Sequence, residues 1–241
     1  MTKRLCTILA RGGSKGLKSK NIKELLGKPL VAHSITQAKS SGLFEGVAVS
    51  SDNAAILDIA RRWEADYLIQ RPAELATDEA PKIPAVQHCV KEVERRAGRT
   101  YDVIVDLDPT SPLRLVGDIE AAVQLLESKR VSNVITAAPA RHSPYFNLIE
   151  VDERGVARLS KPMTQQALRR QDAPPCYDIN ASVYVWQRDA LFRKNWIFFD
   201  DTLLYVMPRE RSIDIDSELD FEFVEHLMRK RQEGDLVHKD A

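Results

Sequence analysis

Short apolar runs of strand length alternate with helical amphipathic patterns along the first part of the chain. The runs lie at residues 5–10, 47–50, 67–69, 103–107 and 133–137 and are rich in β-branched residues, as is typical of buried strands. Between them, apolar residues recur at helical spacing, as in Ile56, Ile59, Ala60 and Trp63. Strands that alternate with such helices predict a parallel sheet with right-handed crossovers and helices on both faces.

The predicted helices begin or end at recognisable residues. A helix over residues 30–40 is expected to stop at Gly42. The segment 51–53 supplies a cap for the next helix, and Asp118 caps a later one. Between them, Pro84 is well placed in the first turn of a helix.

The alternation is interrupted after Pro139. Residues 140–175 form a polar and basic stretch with two short strand candidates, 148–151 and 156–159, joined by a turn. Regular structure returns with strands at 182–186 and 203–207 and a last helix whose core face is predicted to hold Phe223, Val224, Leu227 and Met228. We therefore predict a single α/β domain over residues 1–241: a three-layer, Rossmann-like, mostly parallel sheet with an inserted hairpin-bearing segment at 140–175.

Charge and cysteine content narrow the class of protein. The 35 Lys and Arg balance the 35 Asp and Glu, so no overall field favours nucleic acid or an anionic membrane. Cys6, Cys89 and Cys176 form no Cys-x-x-Cys pair, which favours reduced thiols over structural zinc. No apolar run approaches the roughly 18 residues of a membrane span, and the first is too short for a signal peptide. We expect a soluble, cytoplasmic protein that binds neither nucleic acid nor membrane.

The first strand leads into a glycine-rich, cationic loop. The loop reads Arg11-Gly12-Gly13-Ser14-Lys15-Gly16 and is followed by Lys18, Lys20 and Asn21. Glycines let backbone N–H groups approach an anion, and the cations offset its charge, which indicates a phosphate site. The spacing matches neither the P-loop nor the dinucleotide fingerprint. The alternative is a basic surface loop.

Two pairs of carboxylates, each separated by one residue, are the other candidate chemistry. Asp214 and Asp216 lie in a short extended stretch, where alternate side chains share a face. Adjacent like charges call for a cation, and Mg²⁺ binds carboxylates together with phosphate oxygens. An acidic cluster at the start of the following helix explains the pair equally well. Asp106 and Asp108 form the second pair at the end of a buried strand, where capping of the turn at Pro109 is the alternative.

Ligands of parallel α/β sheets bind outside the carboxyl ends of the strands. Segments 11–21, 50–52 and 106–114 all leave such ends, so we expect them to meet at one crevice. Loops at the predicted ends of the sheet carry three further cations, Arg71, Arg114 and Arg170. A single arginine in such a loop is more often a solvated charge than a ligand contact.

Five blocks of the chain together resemble the acylneuraminate cytidylyltransferases, the CMP-sialic acid synthetases. The blocks are 9–16 with Lys20-Asn21, 49–52, 71–76, 109–114 and 212–220, and they keep the family's order and spacing. The resemblance implies the fold of the nucleotide-diphospho-sugar transferases. It also implies attack by a sugar-acid hydroxyl on the α-phosphate of a nucleoside triphosphate, with release of pyrophosphate.

The resemblance assigns roles residue by residue. Catalysis is expected of Lys20, Asp214 and Asp216, the last two holding Mg²⁺ as cofactor. Nucleotide binding is expected of Arg11, Gly12, Gly13, Ser14, Lys15, Lys20, Asn21, Arg71 and Asp108. Sugar binding is expected of Arg170 and Asn180, and the inserted segment at 140–175 is expected to cross to a second subunit of a homodimer.

Two departures bear on specificity. The family usually has Gln where this chain has Asp108, and Arg-Pro-Asn-Gly where this chain has Asp-Ile-Asn-Ala at 178–181. Both changes resemble the branch that activates legionaminic acid, a nine-carbon sugar acid, and some members of that branch use GTP. We expect CTP as the nucleotide, with GTP as the alternative. A non-catalytic nucleotide-sugar-binding module is the alternative of another class, against which the retention of Arg11, Lys15, Lys20 and both aspartates argues.

Overall fold

A computed structural model of the chain describes residues 2–13, 16–163 and 169–234. Its strands are β1 Arg4–Leu9, β2 Glu24–Leu25, β3 Lys28–Pro29, β4 Gly46–Ser51, β5 Tyr67–Gln70, β6 Val103–Leu107, β7 Asn133–Pro139, β8 Ile149–Val151, β9 Ala157–Leu159, β10 Tyr177–Gln187 and β11 Leu203–Val206. Its α-helices are α1 Leu30–Ser40, α2 Ala54–Arg62, α3 Lys82–Ala97, α4 Val116–Lys129, α5 Arg188–Arg193 and α6 Glu218–Gln232.

A seven-stranded sheet in the order β11-β7-β10-β6-β1-β4-β5 forms the centre of the molecule. The pairs of β1 with β4 and β6, of β4 with β5, and of β7 with β11 are parallel. β10 runs antiparallel to both of its neighbours, β6 and β7. The prediction of a mostly parallel sheet is confirmed. β10 returns beside β7, and the described residues between the two strands contain no α-helix of the kind that a parallel crossover usually uses.

Helices cover both faces of the sheet, as the alternating pattern predicted. One apolar cluster packs α1, α2 and α4 against the sheet through residues such as Ile35, Ile59 and Leu126. The other packs α3 and α5 on the opposite face, through residues such as Val90 and Leu191. The three-layer α/β prediction is therefore confirmed.

The last helix departs from its predicted face. Phe221 and Val224 are buried, whereas Phe223 is 49% exposed. With about 100° of rotation per residue, Phe223 lies about 200° from Phe221 and points away from the core. Leu227 and Met228 pack partly against the core, as predicted. The expectation for Phe223 was wrong because the core stripe of this helix begins at position 221.

The inserted segment carries the predicted hairpin. β8 and β9 pair antiparallel from Ile149 opposite Leu159 to Val151 opposite Ala157. The Asp152 carboxylate accepts backbone N–H bonds from Arg154 and Val156 across the turn. Several apolar side chains of this hairpin are exposed: Leu148, Ile149, Val151 and Val156. Within the described residues, no helix is both long and apolar enough to cross a membrane.

Candidate active site

A cleft of about 560 Å³ opens at the carboxyl ends of the central strands. Its walls come from the segment after β1, the segment before α3, the turn after β6 and the acidic stretch before α6. Strand order reverses at β1, because β4 and β5 lie on one side of it and β6 on the other. Such a reversal creates a crevice that binds ligands in open α/β sheets. The expected meeting of segments 11–21 and 106–114 at one crevice is confirmed, and segment 50–52 lies behind them, where Asp52 contacts Gly12.

Short-range contacts fold the loop after β1 over the neighbouring strand. The Gly12 N–H donates to Asp52 Oδ1 at 2.8 Å, and Asn21 Nδ2 donates to the Arg11 carbonyl at 2.9 Å. A Cβ on Gly12 would lie 2.8 Å from Asn53, so a larger residue would collide there. Asn21 is buried, and its Oδ1 has no hydrogen-bond partner among the described residues. The predicted ligands Ser14 and Lys15 lie outside the described residues.

Gly16 and Lys20 join this loop to the acidic stretch. A Cβ on Gly16 would lie 2.1 Å from the Asp216 carbonyl oxygen, so the two backbones can approach this closely only with glycine. Lys20 Nζ donates to the Ile215 carbonyl at 2.6 Å and contacts Asp216 Oδ1 at 3.2 Å. The predicted phosphate loop and the predicted metal pair therefore form one unit, although nearly 200 residues separate them.

A buried isoleucine orients the two aspartates of the acidic stretch. The Ile215 side chain is fully buried, and its N–H donates to the Thr110 carbonyl at 3.0 Å. The flanking Asp214 and Asp216 both line the cleft. The alternative role, capping the following helix, belongs instead to Ser217 and Asp220, which form a reciprocal capping box at the start of α6.

The electrostatics of Asp214 fit a bound cation. Its Oδ1 is buried and has no hydrogen-bond partner within the described part of the chain. Burial, followed by the charges of Asp108 and Asp216, raises the pKa of Asp214 to about 6. A buried, unpartnered carboxylate oxygen beside a second carboxylate has the donor chemistry that Mg²⁺ prefers. The described residues contain no cluster of three or more acidic, His or Cys ligands, so phosphate oxygens would have to complete the shell.

Two arginines approach the cleft from the β1 and β5 side. Arg71 is buried and donates to the Ser50 hydroxyl at 3.2 Å and to the Ser50 carbonyl at 2.7 Å. Burial lowers the pKa of Arg71 from its ordinary value. Arg11 forms an ion pair with Asp78 at the rim of the cleft. Arg11 and Arg71 thus both line the cleft, as expected of nucleotide contacts.

Lys82 is a cleft residue that the sequence patterns missed. Its ammonium lies 3.0 Å from Asp106 Oδ2 and 3.0 Å from Asp108 Oδ2. Burial opposes its charge, but the two carboxylates outweigh burial and raise the pKa of Lys82. Lys82 is the first residue of α3, where the helix dipole disfavours a cation. This unfavourable position is the feature of the sequence that could have indicated a special role for Lys82.

Asp108 is held from two sides. Its Oδ1 accepts hydrogen bonds from the Thr110 N–H at 3.2 Å and hydroxyl at 2.9 Å, and its Oδ2 faces Lys82. Burial alone would raise the pKa of Asp108, but Lys82 and Thr110 lower it. The residue that replaces the usual Gln is therefore an ionised carboxylate in the wall of the cleft.

The cytidylyltransferase family model matches residues 5–233 of the chain. The chain belongs to the cytidylyltransferase family. It is 40% identical over 96% of its length to post-translational flagellin modification protein B of Campylobacter coli, covering 97% of that protein. It is also 40% identical over 95% of its length to CMP-N,N'-diacetyllegionaminic acid synthase of Campylobacter jejuni, covering 96% of it. The resemblance found in the sequence is confirmed.

A solved structure supports the fold of this family member. The structure of CMP:2-keto-3-deoxy-manno-octonic acid synthetase complexed with CTP superposes with a TM-score of 0.71 at 16% identity. The match covers 95% of this chain and 100% of the other. At that identity the likeness shows the architecture alone, and it agrees with the predicted nucleotidyltransferase type of α/β fold.

Arg114 has a structural role in this cytidylyltransferase. It is 1% exposed, and its guanidinium donates to Gln37 Oε1, the Ser182 carbonyl and the Asp108 carbonyl at 2.7 to 2.9 Å. Burial lowers the pKa of Arg114 to about 10. Arg114 therefore fixes the turn after β6 from beneath.

The two predicted sugar-binding residues lie away from this cleft within the described chain. Asn180 is buried, where its Oδ1 accepts from Thr136 Oγ1 at 2.7 Å and its Nδ2 donates to Ser212 Oγ at 2.8 Å. Arg170 donates to the Ala140 carbonyl and lines a separate cavity of about 550 Å³ beside the inserted segment. Their sugar-binding roles stay predictions.

Proposed function

We propose that the protein transfers CMP from CTP to a nine-carbon sugar acid of the legionaminic or sialic type, releasing pyrophosphate. The observation that carries the proposal is the 40% identity, over nearly the whole of both chains, to CMP-N,N'-diacetyllegionaminic acid synthase. The cleft supports it, because a cationic glycine loop meets an acidic pair there. The names of the similar proteins specify CMP and cytidylyl products, which favours CTP over GTP.

Transfer at phosphorus depends mainly on positioning and charge neutralisation. The acceptor hydroxyl attacks the α-phosphorus and its oxygen forms the new P–O bond, while its proton passes to solvent. The bond between the α-phosphorus and the oxygen that bridges it to the β-phosphate breaks, and that oxygen leaves with pyrophosphate. Arg11 and Lys20 would offset the triphosphate charge, and Gly12 and Gly13 would let it approach the backbone. Arg71 would contact the nucleotide from the β5 side.

Mg²⁺ is the cofactor that the acidic pair fits. Asp214 and Asp216 would hold it, with Lys20 fixing the orientation of Asp216. When bound, the metal would neutralise phosphate charge and lower the pKa of the attacking hydroxyl.

A homodimer completes the proposal. The exposed apolar side chains of the hairpin, including Ile149 and Val151, offer a surface that a second copy would cover. In such a dimer, Arg170 would bind the sugar acid in the cleft of the second subunit. The variant Ile149→Glu should shift the protein to a monomer in sedimentation experiments. Leu219→Glu, which alters a side chain on α6 that is 74% exposed, is the matched control.

The decisive assay is pyrophosphate release. CTP and GTP are each paired with N,N'-diacetyllegionaminic acid, N-acetylneuraminic acid and deoxy-octulosonic acid in the presence of Mg²⁺. We expect release with CTP and a nine-carbon acid. Folded protein that binds CTP yet releases pyrophosphate with no pair would favour the non-catalytic binding module. We include a cytoplasmic location in this proposal, as the sequence led us to expect.

A further inference from the structure

The cleft has two sides, and Arg11, Lys20 and Arg71 occupy one of them. Arg11 and Lys20 follow β1, and Arg71 follows β5, so these cations belong to the side built from β1, β4 and β5. The acidic pair lies between the sides: Asp216 contacts Lys20, and Asp214 lines the cleft together with Asp108. Because the proposed function assigns these cations to the triphosphate, we place the acceptor on the side of β6 and β10.

On that second side the cation that lines the described cleft is Lys82. It starts on α3 and reaches across to Asp106 in β6 and to Asp108 just beyond it. Its ammonium also lies 4.6 Å from the centre of the Tyr184 ring, and Tyr184 sits opposite Asp106 in the pairing of β10 with β6. A lysine is thus held in place at the wall that an acceptor would face.

The charges on this wall disfavour an anionic acceptor unless a cation meets it. Asp108, Asp214 and Asp216 line the cleft with three carboxylates, and a sugar acid adds its own. An ammonium has three N–H donors. The Lys82 ammonium donates to Asp108 Oδ2 at 3.0 Å, and it contacts Asp106 Oδ2 as an ion pair without a hydrogen bond. At least one donor is left for a ligand in the cleft.

Arg114, the other buried cation near this wall, is not available for that role. Its donors go to Gln37, Ser182 and Asp108, beneath the turn and away from the cleft surface. We propose that Lys82 recognises the carboxylate of the acidic sugar acceptor and so selects acids over neutral sugars. The inference rests on the proposed function and names a specificity-determining residue for it.

The test measures how strongly Lys82 is coupled to the acceptor carboxylate. The two ligands are N,N'-diacetyllegionaminic acid and its C1 methyl ester, which lacks the charge. Binding of each is measured by calorimetry with Mg²⁺ and α,β-methylene-CTP, which blocks turnover. The variants are Lys82→Met and Lys82→Arg. Lys91→Met is the matched control, because Lys91 lies on the same helix with its ammonium over the Phe192 ring, outside the cleft.

We expect the unaltered protein to bind the acid about 10-fold to 100-fold more tightly than the ester, as for a charge-assisted hydrogen bond. Lys82→Met should abolish that preference, whereas Lys82→Arg and Lys91→Met should retain most of it. Because Lys82→Met leaves the buried Asp106 without its ion pair, Lys82→Met/Asp106→Asn gives the same comparison in a neutral background. An unchanged acid preference in either Lys82→Met variant would overturn the inference.

Failure of the inference and failure of the proposed function give different results. If the unaltered protein releases pyrophosphate but binds acid and ester equally, Lys82 has no such role and the function stands. If it neither binds the acid nor releases pyrophosphate with any sugar acid, the proposed function fails and the inference fails with it.

Discussion

The contact between Gly16 and the Asp216 carbonyl gives a sharp prediction for Gly16→Ala. The added Cβ would lie 2.1 Å from that oxygen, about 0.9 Å inside the 3.0 Å limit below which real Cβ contacts are essentially never seen. The obstacle is backbone, so no side-chain rotation can relieve it. Either the loop or the acidic stretch must move by about 1 Å.

A displacement of that size acts directly on the proposed chemistry. Asp216 and Lys20 share this joint, so the shift would separate a phosphate-binding cation from a metal-binding carboxylate. Misplacement of reacting groups by about 1 Å costs about 10²-fold in rate. We expect kcat for pyrophosphate release to fall by about that factor, with a smaller change in melting temperature, because the contact lies at the cleft rather than in the core.

Gly117→Ala, on α4 and outside the cleft, is the matched control. A Cβ on Gly117 would meet nothing within 4 Å, and its backbone is not left-handed. Its kcat should match that of the unaltered protein. If Gly16→Ala also retained full kcat, the loop and the acidic stretch would not form the rigid joint described above.

Three further outcomes follow from the same site. The pKa of Asp214 is raised to about 6 in the folded state from an ordinary 3.8, so its ionisation lowers the free energy of unfolding. This loss of stability is absent below pH 3.8 and complete above pH 6. In the absence of metal at pH 8, Asp214→Asn should therefore raise the free energy of unfolding by about 1 to 2 kcal/mol, although turnover is lost. This gain in stability should shrink as the pH falls from about 6 to about 4, and a gain that does not depend on pH would contradict the prediction. Millimolar Mg²⁺ should raise the melting temperature of the unaltered protein but not that of Asp214→Asn, and EDTA should abolish turnover. If Mg²⁺ raised the melting temperature of both proteins equally, the metal would bind elsewhere. Arg114→Met should lower the free energy of unfolding in urea by about 3 to 5 kcal/mol, and Arg114→Lys should not restore it, because one ammonium cannot reach the acceptors that the guanidinium spans.

The sequence patterns predicted the layers of the fold and the meeting of its loops because periodicity records which side of each element is buried. Residues 103–107 and 30–40 match β6 and α1 residue for residue. Phe223 was misplaced because several registers of a short apolar stripe look alike until the packing partner is known.

The site was predictable where its residues lie in contiguous motifs. The glycine loop and the Asp214–Asp216 pair stand out in the chain, and both line the cleft. Lys82 did not stand out, because its role depends on ion pairs with Asp106 and Asp108, which sequence spacing does not encode. Arg114 illustrates the opposite case: a loop arginine that resembled a solvated charge is a buried scaffold residue.

The inserted segment leaves and re-enters the sheet at adjacent points. Pro139 pairs with Tyr177 across β7 and β10, and the Ala140 N–H donates to the Cys176 carbonyl at 2.8 Å. The two ends of the inserted segment therefore lie side by side, as the strands of a hairpin do. The register between β7 and β10 does not depend on how many residues lie between these two ends. This part of the protein can therefore lengthen or shorten without disturbing the pairing of β7 with β10.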